Sequence, residues 1–99
     1  MLAHRSAARE AFEEAGVTGM ISALPVGTYH QLKTQDDGQA EMVAVQAFPM
    51  LVCQENKSWP EMRQRQRCWM PIDTAIGAVR NSELRAVLVM FAQGLTNVT

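Results

Sequence analysis

Nine residues, Arg9-Glu10-Ala11-Phe12-Glu13-Glu14-Ala15-Gly16-Val17, constrain the fold of this chain more than any other stretch. A helix turns about 100° per residue. At that pitch Glu10, Glu13 and Glu14 share one face, and Ala8, Ala11, Phe12 and Ala15 form an apolar face at i, i+3, i+4 and i+7. Gly16 follows, the residue type that most readily takes the left-handed turn that stops a helix. The spacing predicts a helix from about Ser6 to Ala15, with Ser6 as its cap. Three carboxylates on one face repel each other. The commoner fate of such a face is simple solvation. The other is neutralisation by a hard divalent cation, which takes oxygen ligands. Two details favour the second: Arg9 stands four residues before Glu13 and can brace it, and Gly16-Val17 bounds the helix as if its end were fixed against a strand.

In register, Arg9, Glu10, Glu13, Glu14, Gly16 and the aliphatic Val17 resemble the second half of the Nudix box, the signature of the Nudix hydrolases. Ala11 departs slightly, since a larger aliphatic residue is usual there. The first Glu of the box would fall at Met1 and its Gly before the chain begins, so the chain resembles a Nudix domain that starts inside its own signature. A weaker resemblance continues downstream. Trp59-Pro60-Glu61, Arg65 and Trp69-Met70 are similar to the subgroup that includes diphosphoinositol polyphosphate phosphohydrolases. The resemblance implies an α/β (α+β) fold, a mixed sheet packed between helices, here lacking its N-terminal strands. It also implies one domain over residues 1–99, incomplete at its N-terminus.

Composition narrows the partners. Ninety-nine residues permit one domain at most, and a net charge of −1 gives no field that argues for a nucleic acid polymer or a membrane surface. Cys53 and Cys68 lie far apart without metal-ligand spacing and read as ordinary thiols of a reducing compartment. No apolar run reaches the length of a membrane span, and the first residues show no signal-peptide core. The expected setting is cytoplasmic.

Beyond the helix, Val17-Thr18-Gly19 reads as a turn and Met20 to Tyr29 as an extended segment interrupted at Pro25. Asp36-Asp37-Gly38 signals a hairpin turn. Glu41 to Glu55 is nearly continuous in apolar residues, as for a strand covered on both faces, with Pro49 at a bulge or where its lost donor is harmless. Gln54 to Pro60 is a polar loop, and Glu61 to Met70 becomes strand-like towards its end. Pro71 to Val79 suits a short helix that Asp73 could cap. A last helix, capped by Asn81 or Ser82, carries Leu84, Val87, Leu88 and Phe91 on one face; Gly94 is expected to end it, with residues 95–99 as a frayed tail.

Arg63, Arg65 and Arg67 alternate. On an extended chain they share a face that could receive a polyphosphate through paired donors, or they are the charges of an edge strand. Glu61 occupies the loop region where Nudix enzymes often carry a further carboxylate, and Glu55 is its rival. Trp59 is better suited to packing than to stacking on a base, and Trp69 reads as core.

The resemblance implies hydrolysis of a phosphoanhydride bond in a nucleoside diphosphate derivative or polyphosphate, dependent on Mg2+ or Mn2+. Glu10, Glu13 and Glu14 would hold the metal, Glu10 could instead serve as general base, and Arg9 would orient the carboxylates. The alternative is a catalytically inert module that binds or supports. A chain short of strands could also cover itself by pairing as a homodimer.

Overall fold

The first helix begins earlier than its apolar spacing suggests. In the computed structural model, which describes residues 2–96, helix α1 spans Ala3–Ala15, with Leu2 extended at its N-cap. No side chain caps it; the Arg5 and Ser6 amides donate to the Leu2 carbonyl at 3.0 and 3.1 Å. Ser6 is therefore inside the helix and not its cap. Residues 3–8 contain three alanines and no breaker, so propagation beyond Ser6 costs little. Ala8, Ala11 and Ala15 are half-buried, but Phe12 keeps 37% of its surface exposed, so the apolar stripe is only partly covered.

Two compact units divide the chain: Met1–Pro25 with Phe48–Trp69, and Val26–Ala47 with Met70–Thr99. In the first, strand β1 (Val17–Ile21) pairs antiparallel with β4 (Met50–Glu55). Val17-Thr18-Gly19, expected as a turn, is thus the start of a strand, because Gly16 alone reverses the chain. The register slips between Thr18 and Gly19. Glycine is required at this bulge: a Cβ on Gly19 would strike the Leu51 carbonyl oxygen.

In the second unit, β2 (Gly27–Thr34) and β3 (Ala40–Ala47) form an antiparallel hairpin in continuous register. Its turn is the expected Asp36-Asp37-Gly38: Gly38 has φ 84°, and the Asp37 carboxylate accepts the Gln39 amide at 2.9 Å. The apolar run from Glu41 to Glu55 is two strands separated at Phe48-Pro49, where Pro49 breaks the ladder. These strands are not covered on both faces. Met42 and Leu51 remain 62% and 67% exposed, and each strand pairs on one side only.

Helix α2 (Ile72–Ala78) starts after Pro71, with Asp73 in its first turn but no side-chain cap. Helix α3 (Ser82–Thr96) is capped by Asn81, whose Oδ1 accepts the Glu83 and Leu84 amides at 3.0 Å each. Gly94 does not end α3, since Leu95 and Thr96 remain helical; the rest of the expected tail, 97–99, lies outside the described residues. α3 turns Val87 onto β2, where Gly27 leaves room for it: a Cβ there would lie 3.0 Å from Val87 Cγ2. Among the described residues, Val17 and Val87 are the buried apolar side chains, one in each unit.

Three helices and two antiparallel two-stranded sheets make this an α+β chain. The sheets are two short antiparallel ribbons and not one mixed sheet: β2 and β3 form a hairpin, while β1 and β4, distant in sequence, pair with each other. Among the described residues no helix is long and apolar enough to cross a membrane.

Within the second unit, His30 Nδ1 lies 3.2 Å from both Glu83 carboxylate oxygens, and Glu83 also accepts the His30 amide. These hydrogen bonds hold the Glu83 carboxyl below its ordinary value of 4.5. A carboxyl depressed on folding stabilises above its unfolded value, and that contribution is lost as pH falls through the folded one. The thermal midpoint of the wild type should therefore fall faster below about pH 4.5 than that of Glu83→Gln; superimposed curves would remove this contribution.

Candidate functional site

The carboxylates of α1 lie towards the end of the helix, where backbone carbonyls lose their partners. Here each finds one. Gly16, at φ 68°, donates its amide to the Phe12 carbonyl at 2.9 Å. The Glu13 carbonyl accepts the Glu61 amide at 2.9 Å, and the Glu14 carbonyl accepts Trp59 Nε1 at 3.0 Å. The Ala15 carbonyl accepts Arg67 Nη1 at 2.8 Å. The Gly16 carbonyl accepts the Asn56 amide and its Nδ2 at 2.8 and 3.1 Å. The loop after β4 thus closes the end of the helix.

Arg67 organises that loop. Besides the Ala15 carbonyl, Nη1 reaches the Asn56 carbonyl at 3.0 Å, and Nε lies 3.5 Å from the Glu55 carboxylate. Its guanidinium stacks 4.6 Å from the centre of the Trp59 ring. Trp59 packs over Gly16, as expected of a packing residue. Trp69, expected in the core, is 61% exposed, its indole N–H drawn to the exposed Glu55 carboxylate. Replacing Arg67 with Met keeps its bulk but leaves the Ala15 carbonyl without its donor. This should cost about 2–3 kcal/mol, read as a lower denaturant midpoint at unchanged slope.

The same loop brings a carboxylate to the helix. The Glu61 amide bond to Glu13 starts a turn in which Gln64 and Arg65 donate back to the Glu61 carbonyl at 2.9 and 3.0 Å. Arg65 then bridges two carboxylates: Nε to Glu61 at 2.9 Å and Nη2 to Glu14 at 2.8 Å. The hydrogen bond Arg65 donates to Glu61 first, then the charge of Glu14, raises the Arg65 pKa above its ordinary value. Arg9 Nε pairs with Glu13 at 3.0 Å, the expected brace. Glu10 is exposed and has no side-chain partner among the described residues. Glu55, the rival loop carboxylate, is occupied by Arg67 and Trp69.

Arg63, Arg65 and Arg67 do not share a face. Residues 60–64 turn where an extended chain was expected, and the three guanidinia go to different places. Arg63 is exposed without a side-chain partner among the described residues, Arg65 is held by carboxylates, and Arg67 is held by carbonyls. Alternation misled because it assumed a strand. The Trp59–Arg67–Asn56 clamp was missed altogether, since nothing periodic marks a loop that caps a helix some 40 to 50 residues earlier. The glycine at 16 was the only local hint.

Among the described residues no three His, Cys, Asp or Glu side chains converge as a group able to hold a metal ion. The donor set still suits a hard cation. Glu14 and Glu61 share one guanidinium, and magnesium is commonly held by one or two carboxylates together with substrate phosphates.

No family model matches the chain, and no solved structure matches it. Curated proteins do. It is 36% identical over 91 residues to Nudix hydrolase 18, mitochondrial, of Arabidopsis thaliana, covering 92% of this chain and 49% of that protein. To Nudix hydrolase 21, chloroplastic, of the same plant it is 37% identical over 87 residues, 87% of this chain and 41% of the relative. To Nudix hydrolase 12, mitochondrial, of that plant too, it is 32% identical over 89 residues, 87% and 44% respectively. With these matches and the register of Arg9, Glu10, Glu13, Glu14 and Gly16, the chain belongs to the Nudix hydrolase family. It spans less than half the length of the relatives it matches.

Proposed function

We propose that residues 1–99 form part of a single Nudix domain that hydrolyses a phosphoanhydride bond in a nucleoside diphosphate derivative or polyphosphate, using Mg2+ or Mn2+. The observation that carries this reading is Glu61. The loop sets it beside Glu14, close enough for one guanidinium to bridge both. A box carboxylate and a loop carboxylate are thus available together at the end of α1.

Bound there, a divalent cation would neutralise charge on the bridging and leaving oxygens of a diphosphate and acidify a water. Glu14 and Glu13 would hold it, with Glu61 or Glu10 beside them. Arg9 orients Glu13 through a charge-assisted bond. Glu10, without a partner among the described residues, is the better placed to accept a proton from water. Arg63, without a side-chain partner among the described residues, could meet a phosphate oxygen, whereas Arg67 holds the loop to the helix and so positions Glu61.

The competing reading is a catalytically inert module, favoured by the lack of converged carboxylates and the small buried core among the described residues. A panel of nucleoside diphosphate derivatives and diphosphorylated compounds, incubated with Mg2+ or Mn2+, separates the two. Release of phosphate or nucleotide that stops with chelator supports the hydrolase. Metal binding without release from any substrate supports the module. Cys53 and Cys68, spaced as ordinary thiols of a reducing compartment, make a cytoplasmic setting part of the proposal, while the relatives above carry organellar names.

A further inference from the structure

We propose that Arg65 is a displaceable internal cation: it holds the Glu14 and Glu61 carboxylates together in the absence of metal, and a divalent cation enters between them only as the guanidinium leaves. The inference rests on the metal reading of these carboxylates and adds a competitor to it. Arg65 spends its two donors on two separate carboxylates, and does not fork onto one. One positive group therefore stands between two carboxylates that would otherwise repel each other. The bond is also easily surrendered. The Arg65 side chain is 54% exposed, and those of Glu14 and Glu61 are 36% and 31% exposed, so water can replace each contact. Arg67, eleven residues from its Asn56 partner, contrasts with it: its Nη1 is spent on the backbone carbonyls of Ala15 and Asn56, and its side chain is only 20% exposed.

Charge makes the exchange favourable. One guanidinium leaves the two carboxylates with a net single negative charge, whereas a divalent cation balances both. A metal that must displace Arg65 binds more weakly than it would to the same carboxylates left unpaired. Loss of two exposed ion pairs corresponds to a gain in affinity of about three- to tenfold.

The test is Mn2+ binding to the whole chain, followed by electron paramagnetic resonance or calorimetry, with folding of each variant checked by circular dichroism. Arg65→Gln should bind Mn2+ about three- to tenfold more tightly than wild type, and Glu14→Gln should bind it more weakly. Arg65→Lys, which keeps the charge but not the planar fork, should fall between wild type and Arg65→Gln. It supplies the reading if Arg65→Gln does not fold. A gain in affinity is a result that a purely structural arginine would not produce. Should wild type bind Mn2+ in a Glu14-dependent way while neither Arg65 variant binds it more tightly, displacement is wrong and the metal reading stands. Should neither wild type nor either Arg65 variant bind Mn2+, the metal reading falls and displacement with it.

Discussion

Gly16→Ala should destabilise the chain by about 3–4 kcal/mol, while Gly38→Ala, a glycine with similarly positive φ, should cost only about 1–2 kcal/mol. Both substitutions put a side chain into a left-handed backbone. At Gly38 no atom lies within 4 Å of the new Cβ, so the backbone penalty stands alone. At Gly16 the Cβ would lie 2.7 Å from Cδ2 and Cε3 of Trp59. The ring must move, and its bond to the Glu14 carbonyl and its stack under Arg67 move with it. The difference between the two variants, measured by denaturant titration, isolates the closure of the helix end by the loop. Equal losses would mean that Trp59 adapts freely. Against a total of about 5–15 kcal/mol for a folded domain, the larger loss is a serious one.

The second large effect is chemical. Glu14→Gln should lower metal-dependent hydrolysis on the order of 10²-fold or more, since it removes one of the charges that would hold the cation. It should leave the denaturant midpoint nearly unchanged, because the bridge it breaks, to Arg65, is well exposed. Glu10→Gln provides a companion. Glu10 has no side-chain partner among the described residues, so any activity lost there reports on chemistry and not on folding. An active Glu14→Gln enzyme with unaltered metal dependence would end the assignment.

What could be read from the sequence was local. The spacing of Glu10, Glu13 and Glu14, the Arg9 brace, the stop at Gly16, the turn at Asp36-Asp37-Gly38 and the Asn81 cap are each determined within a few residues, and each is present. The carboxylate and arginine side chains of the loop were harder. Whether Arg63, Arg65 and Arg67 face one way depends on whether residues 60–64 are extended, and a backbone bond from Glu61 to Glu13 decides that they are not. Strand exposure was misjudged for a related reason. A nearly continuous apolar run suggests cover on both faces, but Met42 and Leu51 occur in two-stranded ribbons. Helix ends also drifted: alanine carried α1 past Ser6, and a single glycine at 94 did not stop α3.

The closed helix end has an electrostatic consequence. Aligned peptide dipoles give the C-terminus of a helix roughly half a negative charge, which disfavours acidic residues in the last turn. α1 places Glu13 and Glu14 there and carries no basic residue in that turn. Its own sequence therefore builds a negative pole, which Arg9 offsets in part through Glu13. The rest of the countercharge comes from across the sequence: Arg67 lies on the terminal carbonyls and Arg65 on the Glu14 carboxylate. The macrodipole and the carboxylates add to one field, so any cation arriving at this pole is attracted by the backbone as well as by the glutamates.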